Sequence, residues 1–137
     1  MSSFMTTIIV GLLGSDPELR QDGTGTAVCN FSLAYNEKFT NRAGELISKT
    51  LWMRVTCWGK MAENSYKYLK KGGRAIVEGK LLADENGNPR LWTGNDGSIR
   101  SNFEMRADVV KFAGQGGNGE MTSVNDAADE EEDEIPF

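Results

Sequence analysis

Nine residues, Thr50 to Trp58, alternate between two chemistries. Leu51, Met53, Val55 and Cys57 form an unbroken apolar set at period two, the spacing of one face of a β-strand turned to a core. The opposite set is Thr50, Trp52, Arg54, Thr56 and Trp58. Two indole rings beside a guanidinium are costly to leave in water and mark a contact surface. Flat rings stack on unpaired nucleobases while the cation pairs with phosphate, an arrangement that grips a single strand without reading its order. The competing reading covers both faces of this strand, under a helix or a second subunit.

Two more rings stand without an apolar period around them. Phe39 lies among Asn36, Glu37, Lys38, Thr40, Asn41 and Arg42, and Trp92 follows Arg90 at the end of Asn86-Gly87-Asn88-Pro89. Each is a candidate stacking ring or a simple cap on the core. Lys60, Lys67, Lys70, Lys71 and Arg74 gather where a helix is expected, as a solvated face or a track for phosphates. Phe31, Phe103 and Phe112 are expected in the core, and Tyr35, Tyr66 and Tyr68 in ordinary packing. Histidine is absent, which removes the usual zinc ligand and general base. Asp96, Glu104 and Asp108 have the spacing of exposed turn and strand charges, with no nucleophile–base pair beside them. Neither an enzyme, a metal site nor a cofactor is expected. Cys29 and Cys57 sit inside apolar alternations and read as reduced core residues.

The formal charge of −5 over 137 residues hides a segregation. Residues 1–113 carry all 15 basic residues against 12 acidic ones, and residues 114–137 carry eight acids and no base. A mildly basic body suits a polyanion, and an acidic tail imitates one. Six consecutive acids, Asp129 to Glu134, precede Ile135-Pro136-Phe137. Such a run repels itself and stays solvated, while its apolar end beside a carboxylate suits capture by a partner's basic, apolar pocket. No apolar run approaches the roughly 20 residues that cross a bilayer.

Periodicity predicts the elements that must hold these residues in place. Strands are expected over Phe4–Leu13, Ala27–Tyr35, Thr50–Trp58, Arg74–Leu82 and about Ser98–Phe112, the last with Ile99, Phe103, Met105, Ala107 and Val109 inward. Asn36 to Lys49 is too long for a tight hairpin and reads as a projecting loop or ribbon. Lys60 to Lys71 changes to helical spacing at Met61, Ser65, Tyr68 and Leu69, with Gly72-Gly73 as a stop. Three strands, one helix and two strands is the order of the OB-fold, a five-stranded barrel that binds nucleic acid or sugars on its open face. The expected division is an OB-fold domain over 1–113, a flexible linker over 114–128 and an acidic partner-binding tip over 129–137.

Along nearly its whole length the chain resembles the bacterial type of single-stranded DNA-binding protein, including phage-borne relatives. The carrying residues are Gly11-Leu12-Leu13-Gly14-Ser15-Asp16-Pro17-Glu18-Leu19-Arg20, Asn30-Phe31-Ser32-Leu33-Ala34, Trp52-Met53-Arg54-Val55, Trp58-Gly59-Lys60-Met61-Ala62-Glu63, Tyr68-Leu69-Lys70-Lys71-Gly72, Val77-Glu78-Gly79 and the Ile135-Pro136-Phe137 end. The resemblance implies stacking of DNA on Phe39, Trp52, Trp58 and Trp92, and phosphate contacts from Arg54, Lys60, Lys71 and Arg90. It also implies a cytoplasmic, nucleoid-associated homotetramer. Asp133, Glu134, Ile135, Pro136 and Phe137 would dock replication, recombination and repair proteins. The family commonly has Trp where Phe39 stands and Phe where Trp58 stands, so a ring is kept at both. The linker is shorter than in many relatives. A protein-docking adaptor and an RNA-binding module of the same fold are the rival readings.

Overall fold

The computed structural model describes residues 2–113 and 121–123. Nine strands and one helix follow one another in it: β1 (Thr7–Leu13), β2 (Glu18–Gln21), β3 (Ala27–Thr40), β4 (Leu46–Trp58), α1 (Lys60–Tyr68), β5 (Arg74–Leu81), β6 (Leu91–Thr93), β7 (Ile99–Ser101), β8 (Phe103–Ala113) and β9 (Met121–Ser123). Strands β1, β5, β8, β4 and β3 are neighbours in that order, and β1 pairs β3 to close them into a barrel. All these pairings are antiparallel except β4 with β8. Three barrel strands precede the helix and two follow it, the OB-fold order expected from the sequence.

Alternation puts the core where it was expected. Met53, Val55 and Cys57 of β4 are buried against Cys29, Phe31 and Leu33 of β3, with Ala75 and Val77 of β5 completing the interior. Leu51 packs at its margin. Helix α1 caps the barrel by burying Ala62, Asn64 and Ser65. It stops at Tyr68, earlier than the glycine pair suggested, because Leu69 turns extended while its N–H still donates to the Ser65 carbonyl at 2.9 Å. That turn buries the Leu69 side chain.

The expected projecting segment is a two-stranded ribbon. β3 and β4 stay in unbroken register from Val28↔Trp58 out to Thr40↔Leu46. The Asn41 side-chain oxygen closes its tip by accepting from the backbone N–H groups of Ala43 and Glu45, at 2.9 and 3.0 Å.

The last strand differs most from expectation. Ser98 to Phe112 is split: Ile99–Ser101 pairs with Leu91–Thr93 in a separate small sheet, and the barrel strand begins at Phe103. Ile99 and Phe103 are therefore exposed rather than inward. Beyond them the ladder steps from Gly79↔Ala107 to Glu78↔Val109, leaving Asp108 as a bulge. One extra residue reverses the alternation, so Met105, Ala107 and Val110 are buried and Val109 is only half-buried. Phe112 is partly buried and stacks on Tyr68, ring centroids 5.7 Å apart. Tyr35 and Tyr66 are exposed, contrary to the packing expected for them.

Of the segment expected as linker, Met121–Ser123 forms a strand antiparallel to Lys111–Ala113. The remainder of 114–128 and the acidic tip lie outside the described residues.

Candidate nucleic-acid interface

The outer face of β4 is built by its register with both neighbours. Opposite Trp52 on β3 stands Ala34, opposite Arg54 stands Ser32, and opposite Thr56 stands Asn30. These partners are small or short and leave the large side chains uncovered: Trp52 is 51 % exposed and Trp58 40 %. Polar pairs fill the intervals, with Thr50 Oγ1 donating to Asn36 Oδ1 at 2.7 Å and Thr56 Oγ1 to Asn30 Oδ1 at 2.8 Å. Arg54 is exposed and has no ion-pair partner among the described residues. A guanidinium left open on such a face keeps its five donors for an incoming anion.

Trp52 is held from the side by the chain leaving β1. A Cβ placed on Gly14 would lie 2.5 Å from Trp52 Cζ3 and 2.8 Å from Cη2, so the indole edge occupies the space a side chain at position 14 would need. The same loop is tied to the helix exit through Asp16, whose Oδ1 accepts from the Lys71 backbone N–H at 2.9 Å.

Three open cavities follow one another over this face. One of about 450 Å³ is lined by Lys49, Leu51, Trp52, Asn102 and Phe103 among others. Asn102 also borders the next, of about 500 Å³, with Arg54, Arg90, Trp92 and Glu104. Arg54 in turn borders a smaller one of about 120 Å³ together with Asp16, Asn30 and Ser32. The shared residues join them into one groove with Trp52 and Trp92 along it. Rings and cations spaced along a groove form the grip expected for an unpaired strand.

The small sheet of β6 and β7 carries Trp92. Its register partner Arg100 places a guanidinium 5.5 Å from the Trp92 ring centroid, a cation–π contact. Asp96 Oδ2 accepts from Arg100 Nη2 at 3.1 Å, and Ser98 Oγ accepts from Arg100 Nε at 3.1 Å. The Ser98 hydroxyl and backbone N–H, and then Arg100, hold the Asp96 carboxyl below the usual carboxylate range. At the base of the hairpin, Arg90 Nη2 donates to Glu104 Oε1 at 2.6 Å.

Trp52, Trp92, Arg54 and Arg90 thus meet along one groove. Trp58 shares the outer face of β4 but lines none of these three cavities, lying further along opposite Val28. Phe39 is out on the ribbon opposite Ile47, on the other face by alternation from Trp52. Lys49 links it to the groove: its ammonium lies 5.7 Å from the Phe39 centroid and 3.8 Å from Glu37, and it lines the Trp52 cavity. Lys60 opens the helix and Lys71 follows it, and neither lines a groove cavity. Asp133 to Phe137 lie outside the described residues. Sequence reasoning missed Lys49, Arg100, Asn102 and Phe103. Of these only Phe103 carried a visible signal, as an aromatic beside Asn102, and it was assigned to the core.

Among the described residues no cluster of His, Cys, Asp or Glu is placed to hold a metal ion, and no helix is long and apolar enough to cross a membrane.

A closed OB barrel with an aromatic, cation-edged groove across one face defines the class of nucleic-acid-binding OB-fold proteins. Residues 4–113 match the Single-strand binding protein family. The chain belongs to that family. Over 112 residues it is 38 % identical to the single-stranded DNA-binding proteins of Neisseria meningitidis serogroups A and B, a match covering 82 % of this chain and 61 % of theirs. It is 43 % identical over 74 residues to single-stranded DNA-binding protein 1 of Chlorobaculum tepidum, covering 54 % of this chain and 46 % of that one. Its fold is similar to that of Plasmodium falciparum SSB solved in complex with ssDNA, with a TM-score of 0.67 and 28 % identity, covering 83 % of this chain and 98 % of that one. The chain therefore spans about three fifths of the length of the Neisseria relatives.

Proposed function

We propose that the protein binds and protects single-stranded DNA without regard to sequence, in replication, recombination and repair. The groove that runs past Trp52, Arg54 and Trp92 carries this reading. Each base stacked on an aromatic ring contributes about 1–3 kcal/mol, and each neutralised phosphate adds about 0.7 to the salt slope on single strands. Arg54, unpaired among the described residues, is the phosphate contact best placed for this; Lys60 and Lys71 extend the basic track, and Arg90, bonded to Glu104, contributes less to it. Phe39 and Trp58 supply further stacking platforms at the two ends of β4. Trp52→Ala is expected to weaken oligo-dT binding by about 1–3 kcal/mol, roughly fivefold to 150-fold, with the fold intact. Unchanged affinity in a tryptophan-quenching titration, Trp58 and Trp92 reporting, would reject the role.

The protein acts as a homotetramer whose acidic end recruits partner enzymes. Ile8, Val10 and Leu12 leave one face of β1 apolar and exposed, which favours burial against another copy. Light scattering that finds a monomer at micromolar concentration rejects this assembly. Asp133 to Phe137 is the docking end, and the −8 charge of residues 114–137 competes with DNA for the groove. Deleting residues 129–137 is expected to tighten DNA binding at low salt and to abolish partner capture. A lower DNA affinity after deletion removes the competition.

A further inference from the structure

All three groove cavities are bordered by acids, and the one at the base of the β6–β7 hairpin holds the least exposed of them. Glu104 is the register partner of Arg54 on the neighbouring strand. Its side chain is 11 % exposed, and it lines the cavity with Arg54, Arg90, Trp92 and Asn102. One carboxylate oxygen takes the 2.6 Å bond from Arg90. Among the described residues the carboxylate has no other hydrogen-bond donor, so acceptor sites remain. A mostly desolvated carboxylate repels phosphate, and its bond to Arg90 already balances one of the two cations there. The phosphate therefore belongs at Arg54, which has no ion-pair partner among the described residues, and a neutral planar group belongs between Glu104 and Trp92. The cavity volume of about 500 Å³ is within the roughly 300–1,000 Å³ range of small-molecule sites.

We propose that Arg54, Arg90, Trp92, Asn102 and Glu104 form a nucleobase subsite in which Glu104 accepts a hydrogen bond from an exocyclic amine, so that, within binding that otherwise tolerates any sequence, one position of the bound strand has a modest preference for cytosine or adenine over thymine. This rests on the proposed binding of single-stranded DNA. Trp92 supplies the stacking face, and Arg90 orients the carboxylate. A carboxylate only accepts, and it pairs with the cytosine N4 amine; thymine has the O4 carbonyl at that position, acceptor against acceptor, and its one donor, N3–H, is flanked by two carbonyls. The Asn102 amide both donates and accepts and discriminates less.

The test is the ratio of affinities for oligo-dC and oligo-dT of equal length, measured by tryptophan quenching at one salt concentration. A homopolymer offers the subsite the same base in every register, and equal phosphate numbers cancel the counterion contribution in the ratio. Intrinsic differences in stacking and flexibility cancel when the wild type is compared with E104Q. The amide of E104Q can donate to a thymine carbonyl, and the dC:dT ratio is expected to shift toward dT by about fivefold. Trp92→Ala, on the exposed hairpin, carries the same test should E104Q fail to fold: it removes the platform and shifts the ratio in the same direction. A ratio unchanged in a folded variant overturns the subsite and leaves Glu104 as a charge neutraliser, affecting both oligonucleotides alike. No binding of either oligonucleotide by the wild type would instead overturn the proposed function, and the subsite with it.

Discussion

Gly14 shows how a residue with no side chain governs one with the largest. Its hydrogen is all that fits beside the Trp52 ring, and its backbone is not in the left-handed region. A methyl group there acts through space alone. Gly14→Ala is expected to push the indole from its seat and lower oligo-dT affinity by about 1 kcal/mol, roughly fivefold, a part of one stacked base. Urea unfolding should be nearly unaffected. If affinity holds while the fold is intact, the ring position does not depend on Gly14. Arg54 and Arg90 illustrate the converse, because similar guanidiniums have different freedom: Glu104 engages Arg90, whereas Arg54 has no such partner among the described residues.

Among the elements, the bulge in β8 decides which residues reach the core. It is possible because β5 has glycine opposite it. A Cβ on Gly79 would run into the Arg106 carbonyl, so the two backbones approach only without a side chain. Gly79→Ala is expected to destabilise the barrel by about 1–3 kcal/mol, as overpacking does. The readout is a lower urea midpoint at unchanged slope, and an unchanged midpoint would show that the bulge tolerates the methyl. The β6–β7 hairpin has a different foundation. It has almost no buried apolar contact, with Leu91 and Ile99 exposed, and is fixed by Asp96, Ser98 and Arg100 around Trp92.

At the scale of the whole molecule, the barrel buries its two thiols in direct register, Cys29 opposite Cys57. The hydrogen bond with Cys57 and then burial push the Cys29 thiol far above its ordinary value, while Cys57 donates to Ser65 Oγ at 3.6 Å. A raised folded pKa favours the neutral thiol in the folded state. The corresponding stability is fully present below the unfolded value of about 9 and is lost as pH rises toward the folded one. Above pH 9 stability is expected to fall by up to about 1.4 kcal/mol per pH unit from this group, and Cys29→Ala should flatten that limb. Parallel limbs for the two proteins in urea titrations would remove Cys29 as the cause.

The barrel order and the outward rings of β4 were legible along the chain because both are local. Alternation between Thr50 and Trp58 assigns each side chain a face with no knowledge of any other strand. The segregated charge was legible for the same reason. What lies around Trp92 was not, since that hairpin has no apolar period and its contacts join residues of β6, β7 and β8. The core assignment of Phe103 and Val109 failed because the interruption of the strand at Asn102 and one extra residue at Asp108 are settled by pairing with other strands, and periodicity within one strand cannot register them. The amino-acid order alone therefore determined the barrel and the outward aromatic rings of β4. Tertiary pairing decided where the groove runs and which acids border it, because both depend on residues brought together from separate strands.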